Sequence, residues 1–309
     1  MFVGPEAPEP GRTPVVGDTA PAQGGVLWTP RFPLRDGTSY RASWLDVDGR
    51  ELGAVVLAVP AGEVGAATRV LDIFPSGETI PENLLRVYIQ FSGAVASGHA
   101  AHRVELLRAD GTPIEDAFVL PEQELWSPAH DRLTLLFDPG RVKREVGPNV
   151  EMGAPLLAGD VVTLRVQPDW PHDAGRPLVE EFSRTWTVTA ADRTQPKPID
   201  WEITSPTAPD DTLRIEFQSA LDRGLLASMF RVRTAGGESI EGTVSTEVGE
   251  RSWSFAPAQP WRPGSYEVIV DADLEDPAGN SIERLFDEPL REIAGRPALP
   301  DVVLPFEVR

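Results

Sequence analysis

Apolar and polar residues alternate one by one along many short stretches of the chain. In LLRVYIQF (84–91), Leu85, Val87, Ile89 and Phe91 fall on one side and Arg86, Tyr88 and Gln90 on the other. TLRIEF (212–217) repeats the pattern with Leu213, Ile215 and Phe217. The same rhythm runs through DRLTLLFDP (131–139), DVVTLRVQP (160–168), RTWTVTA (184–190), RSWSFAP (251–257) and SYEVIVD (265–271). Successive side chains of an extended strand point to opposite faces, so such segments, bounded by Gly, Pro and Asp, predict half-buried strands. Helical spacing is scarce: only DRGLLASMF (222–230) offers a turn or two. The 31 prolines and 27 glycines reinforce this, because they interrupt long helices and suit short strands joined by turns.

Laid end to end, the strands repeat. IFPSGETIPENLLRVYIQF (73–91) aligns with ITSPTAPDDTLRIEF (203–217): a strand, a proline, a polar connection and an alternating strand ending in Phe. HRVELLRADGTPIEDAF (102–118) then parallels FRVRTAGGESIEGTV (230–244), DRLTLLFDP parallels RSWSFAP, and LLAGDVVTLRV (156–166) parallels WRPGSYEVIV (261–270). Each copy closes on a last strand, RTWTVTA or LPFEVR (304–309), and FPLRDGTSYRASWLDVDG (32–49) is a third, partial echo of 261–279. Period-two strands bury their apolar face only when two sheets pack together, and about seven strands per copy is the size of an immunoglobulin-like sandwich. The reading is therefore all-β: tandem immunoglobulin-like β-sandwiches with a partial N-terminal β unit. Its parts are a Pro/Gly-rich leader (1–23), the partial unit (24–66), a sandwich over 67–192 with an inserted loop at 140–159, and a sandwich over 197–309.

The run W-x-P-G-S-Y-x-V-x-V at 261–270, followed by L-E-D-P-A-G-N at 274–280, resembles bacterial Ig-like domains of the S-layer type. The proline-led opening of 75–91 is similar to the first two strands of that family. The resemblance covers most of 197–309, less of 67–190 and part of 24–66; QPDWPHDAGRPL (167–178) and the 140–159 insertion depart from it. It implies spacers or adhesive modules of the cell surface, rather than enzymes, and an extracellular, periplasmic or cell-surface location.

Charge narrows the partners. The formal net charge of −20 repels nucleic acid and anionic lipid. The absence of cysteine excludes disulfides, thiolate metal sites and cysteine nucleophiles. No stretch approaches the apolar length of a membrane helix, and the first 25 residues lack the basic start and apolar centre of a signal peptide.

The segment YEVIVDADLEDPAGNSIERLFD (266–287) is dense in carboxylates. Counted from Asp271 as an EF-hand, Asp273 and Glu275 fall at positions 3 and 5. Asp276 then stands where Gly is required, and Glu283 falls at 13 instead of 12. The favoured reading is a turn, with Asp276 bonding to nearby backbone N–H groups; weak Ca2+ binding by Asp271, Asp273 and Asp276 is the alternative, and no other cofactor is expected. His99 and His102 lack the H-E-x-x-H spacing of a zinc helix, and His130 and His172 sit in separate polar turns. Neither a nucleophile elbow nor a phosphate loop occurs. Trp186 and Trp253 lie on inward strand positions, whereas Trp28, Trp126, Trp170 and Trp261 adjoin turns. Loop tryptophans stack on sugars, so Trp126 and Trp170 are interaction candidates. Arg141, Lys143 and Arg144, in the basic island DPGRVKREV (138–146), are the others.

Together these features point to a non-enzymatic structural and interaction module of the bacterial envelope or exterior. It would be a rigid spacer and scaffold whose partner is another surface protein. The rival readings are a carbohydrate-binding or adhesive module, an accessory subunit of a larger envelope complex and, last, a metal-dependent enzyme.

Overall fold

Short β segments separated by Gly, Pro and Asx turns account for nearly all the regular structure of the computed structural model. It describes residues 2–3, 15–22, 25–31, 34, 38–48, 50–60, 67–119, 124–142, 153–171, 178, 180–288 and 299–309. Most of the leader, Lys143, Arg144, His172 and half of the 140–159 insertion (143–152) lie outside the described residues. The chain forms two compact units, residues 1–67 with 172–176, and residues 68–171 with 177–309.

In the first unit, β1 (Phe2–Val3), β4 (Ser39–Leu45) and β5 (Glu51–Ala58) form an antiparallel sheet in the order β1-β4-β5, and β2 (Gly17–Ala22) pairs with β3 (Gly25–Pro30) as a hairpin. Strand β4 is the partial echo noted in the sequence. Its Tyr40 is buried, and Asp46 accepts the N–H groups of Asp48 and Arg50 to close the turn into β5.

The second unit contains both sandwiches. In the first, β6 (Val70–Phe74), β7 (Thr79–Pro81), β8 (Arg86–Phe91), β9 (Val104–Arg108), β10 (Phe118–Val119), β11 (Leu125–Trp126), β12 (Arg132–Phe137), β13 (Val161–Val166) and β14 (Phe182–Thr189) build two sheets. Their orders are β10-β12-β8-β6, with β11 also on β12, and β7-β14-β13-β9. In the second, β15 (Glu202–Thr204), β16 (Leu213–Glu216), β17 (Phe230–Thr234), β18 (Gly242–Ser245), β19 (Ser252–Pro257), β20 (Gly264–Val270) and β21 (Val302–Val308) give β15-β16-β19-β18 and β17-β20-β21. The latter is the four-plus-three strand order of a constant-type immunoglobulin domain. The first copy differs by β7, which pairs parallel with β14 along the edge that β21 leaves unpaired among the described strands.

The inward residues form two cores. One gathers Ile73, Ile89, Phe91, Leu133, Leu164, Trp170 and Trp186; the other gathers Leu213, Ile215, Phe230, Trp253, Trp261, Val268 and Phe306. Trp253 stacks between Phe230 and Phe255 at 4.9 and 5.8 Å. Its indole N–H donates to the Leu226 carbonyl, so a large ring is buried with its polar atom satisfied. Tyr266, at the start of β20, donates its hydroxyl to the Arg262 carbonyl at 2.9 Å, the tyrosine corner of immunoglobulin-like sandwiches.

Residues 222–230 form a run of single turns closed by bonds such as Met229 N–H to Leu225 O, as the turn or two expected there. One expectation changes. Tyr88, on the polar side of β8, is 6% exposed, because the second sandwich covers that face of the strand.

Two substitutions probe this core. Trp253→Ala should cost about 3–5 kcal/mol, and Tyr266→Phe about 1 kcal/mol, in denaturant titrations followed by circular dichroism.

Candidate functional site

The two sandwiches meet end to side. The face presented by the second is made of its β16–β17, β18–β19 and post-β20 loops. In variable immunoglobulin domains, the loops at one end of the sandwich are the recognition surface. Here they close on β8 and the β6–β7 corner of the first sandwich, and the contact is polar.

Each loop brings a carboxylate. From the β16–β17 loop, Asp222 is 3% exposed; it accepts the Tyr88 hydroxyl at 2.6 Å, Arg86 Nη1 at 3.2 Å and its own loop's Gly224 N–H at 2.8 Å. From the post-β20 loop, Glu275 stands 2.6 Å from the same Arg86 nitrogen. From the β18–β19 loop, Glu250 is 1% exposed and accepts both the N–H and the hydroxyl of Ser76, while Gly249 N–H donates to the Ser76 oxygen. Glu250 has a φ of +52°, so its backbone is held in the left-handed region while the side chain reaches across the junction. Arg223 lays its guanidinium 4.9 Å from the Phe74 ring centroid.

The acidic segment 271–287 forms the other half of the contact. Asp276 is 2% exposed; one oxygen accepts the N–H groups of Ala278 and Asn280 and the other accepts Asn280 Nδ2. Gly279 (φ +81°) turns the chain so closely over the first sandwich that a Cβ there would lie 2.7 Å from Leu85 Cδ2. Leu85 N–H donates to the Pro277 carbonyl, Asn280 Nδ2 to the Asp192 carbonyl, and Phe286 packs on the core of the first sandwich. Asn83 fixes the connecting segment by exchanging hydrogen bonds with the backbone of Asp192. Beside these contacts runs a cleft of about 310 Å³, walled by Pro75, Gly77, Pro81, Ala191, Ala220 and Pro277 among others.

The electrostatics follow from burial. Desolvation raises Asp276 to about 7, against the three N–H groups that favour its charged form. It also raises Glu250 and Glu275, outweighing Ser76 for the first and Arg86 for the second. Burial would lower Arg86, but the charges of Asp222 and Glu275 overcome it and raise that group instead. Tyr88 is raised by burial and by the Asp222 charge, so it stays a neutral donor. Arg223 is lowered, chiefly by burial.

The residues singled out from sequence are placed as follows. Asp276 accepts backbone N–H groups of its own turn, as the turn reading expects, and Asp271 accepts Asp273 N–H. Among the described residues, no group of three or more His, Asp or Glu side chains is placed to hold a metal ion. Trp170 is wholly buried with its N–H on the Ala96 carbonyl, which leaves its ring no face for a ligand. Trp126 is half-buried between Phe91 and the stacked ring of His130, its N–H on Glu124. Arg141 is buried and donates to the carbonyls of Gly153, Glu115 and Asp116, pinning the base of the insertion. The exposed indole is instead Trp44, at 54% on β4, which carried no sequence signal. Among the described residues, no helix is long and apolar enough to cross a membrane.

No protein-family model matches the chain, and no curated protein sequence matches it either. Solved structures that the chain matches include alpha-2-macroglobulin of Escherichia coli, domains MG0-NIE-MG1, at 9% identity over 67% of each chain, with a TM-score of 0.26. CopC of Methylosinus trichosporium OB3b matches at 20% identity over 41% of this chain and 98% of its own, with a TM-score of 0.25. The S-layer protein SbsC matches at 14% identity over 66% of this chain and 24% of its own, with a TM-score of 0.26.

The junction predicts a strong response at Arg86. Arg86→Ala strands Asp222 and Glu275 without their shared cation and should cost about 3 kcal/mol or more, whereas Arg69→Ala, on an exposed side chain, should be near neutral in the same thermal melts.

Proposed function

We propose that the chain is a non-enzymatic spacer and scaffold of the bacterial envelope or exterior, in which the two sandwiches act as one stiff body that holds a protein partner at fixed geometry. The observation that carries this reading is the junction. The loops that would be free to bind a ligand at the tip of an isolated sandwich are committed to the neighbouring sandwich, through Asp222, Glu250 and the 275–280 turn. A linker alone would leave relative domain motion as the default; a buried, hydrogen-bonded contact that includes a core side chain, Phe286, opposes it. The location outside the cytoplasm rests on the sequence resemblance to S-layer Ig-like domains.

A second reading, an accessory subunit of a larger envelope complex, draws on the β4–β5 hairpin. Register places Tyr40, Ala42 and Trp44 beside Leu57, Val55 and Gly53 on one face, and Trp44, Val55 and Leu57 are 54, 52 and 44% exposed. Apolar residues gathered on a surface sheet are a common mark of protein contact. The carbohydrate-binding reading loses ground because Trp170, Trp186, Trp201, Trp253 and Trp261 are all buried.

Stiffness is directly measurable, since a chain without cysteine accepts two spin labels without interference. With Ala109→Cys and Ala235→Cys, one in each sandwich at exposed, equivalent turns, pulsed electron–electron resonance at pH 5 should give one narrow distance distribution. A broad distribution would sink the stiff-body reading. Gentle crosslinking in the envelope fraction should recover one stoichiometric protein partner; recovery with cell-wall glycan alone would favour an adhesive module instead.

A further inference from the structure

The charges at the junction do not balance. Four carboxylates are brought there by the second sandwich: Asp222, Glu250, Glu275 and Asp276. Arg86 serves two of them, Asp222 and Glu275. Glu250 and Asp276 are held by N–H and O–H donors alone, with no ion pair among the described residues.

The surroundings of each supply little compensation. Toward Glu250, strand β6 presents Asp72, which is paired to Arg184 of β14, and Arg184 also donates to the Ser76 carbonyl. The β16–β17 loop presents Arg223, whose guanidinium lies over the Phe74 ring and whose charge favours ionised Glu250 without outweighing its burial, and β12 presents Arg132, whose guanidinium lies 5.5 Å from the Tyr88 ring centroid. Arg251, next in the chain, is exposed. Toward Asp276, the connecting segment presents Asp192, another carboxylate, while Arg193 is paired to Asp287, and Arg284 acts on Glu275. A small cavity of about 10 Å³, lined by Arg86, Tyr88, Asp222, Arg223 and Glu250, has room for no more than about one water molecule.

We propose that the junction is a pH-dependent joint: the two sandwiches are locked together in mildly acidic surroundings and loosen as the pH rises, when Glu250 and Asp276 are both charged in a contact that gives neither an ion pair among the described residues. This rests on the stiff-body reading above and adds its control.

Proton linkage fixes the sign. Glu250, Glu275 and Asp276 bind protons more tightly in the closed contact than in water, so closure carries protons with it. Their contribution is fully present below the ordinary carboxylate range, and it is lost as the pH rises through the raised values, near 7 for Asp276. A salt bridge between the sandwiches would behave in the opposite way, strengthening as its acid ionises. Arg86, in contact with both Asp222 and Glu275, keeps the sandwiches associated when Glu250 and Asp276 are charged.

The test uses the Ala109→Cys, Ala235→Cys label pair in the full chain at pH 5 and pH 8.5. The expected result is one narrow distance peak at pH 5 and, at pH 8.5, an added broad component. That component should be absent at pH 8.5 when Glu250→Gln and Asp276→Asn are introduced together. Both replacements keep a carbonyl acceptor for the Ser76 and Ala278 donors, and circular dichroism at both pH values reports whether they fold. An equally narrow peak at both pH values overturns the joint and leaves the stiff body standing. A broad component that persists in the double variant also overturns it. Broad distributions at both pH values overturn the stiff-body reading itself.

Discussion

Asp222 lies at the centre of the second unit. Its two oxygens are shared among the Tyr88 hydroxyl and the Arg86 guanidinium of one sandwich and the Gly224 N–H of the other. A carboxylate taken out of water is costly unless its lone pairs are filled. The relative position of the sandwiches is what fills them. Gly224 belongs to the same constraint: a Cβ there would lie 2.6 Å from the Tyr88 hydroxyl oxygen, so the loop has no room for any larger residue. Position, in this contact, is set by hydrogen-bond geometry more than by apolar area, and directional bonds tolerate little rotation about the joint.

The sandwiches themselves depend on more forgiving forces. Each core is filled by alternate residues of paired strands, and its energy scales with the area removed from water. That is why the architecture was legible. Period two in 84–91 and 212–217 assigns Val87, Ile89, Leu213 and Ile215 to the interior, and all four are buried. The alternation in SYEVIVD placed β20. Trp186 and Trp253, read as inward, are wholly or almost wholly buried.

The junction was not legible, for a reason that lies in how far apart its partners are in the chain. Tyr88 and Asp222 are separated by 134 residues, Ser76 and Glu250 by 174. Nothing in the neighbourhood of Glu250 marks it as buried; VGERS reads as a solvated turn, and the local pattern gives Tyr88 to solvent. Acidic loops in an acidic chain look alike until a second domain covers some of them. The same blindness affected Trp170 and Arg141. A ring beside a proline, or a cation in a basic run, carries no local sign of the carbonyls at Ala96, Gly153 and Asp116 that will receive its N–H groups.

The repeat shows how one fold came to do two things. In the first copy, eleven residues (75–85) join β6 to β8, long enough to lay β7 beside β14 and to place Ser76 and Leu85 against the second copy. In the second, eight residues (205–212) join the corresponding strands, and they close on themselves, with Asp211 accepting the N–H groups of Thr207 and Ala208. The loops after the penultimate strand diverge likewise. In the first copy that loop carries Trp170, which folds back into its own core; in the second it reaches out through Pro277, Gly279 and Phe286 to the neighbour. Small changes in loop length and composition, on frameworks whose strands obey the same alternation, thus convert one sandwich into the socket and the other into the plug. The carboxylates that make the plug fit also make the fit conditional on their charge.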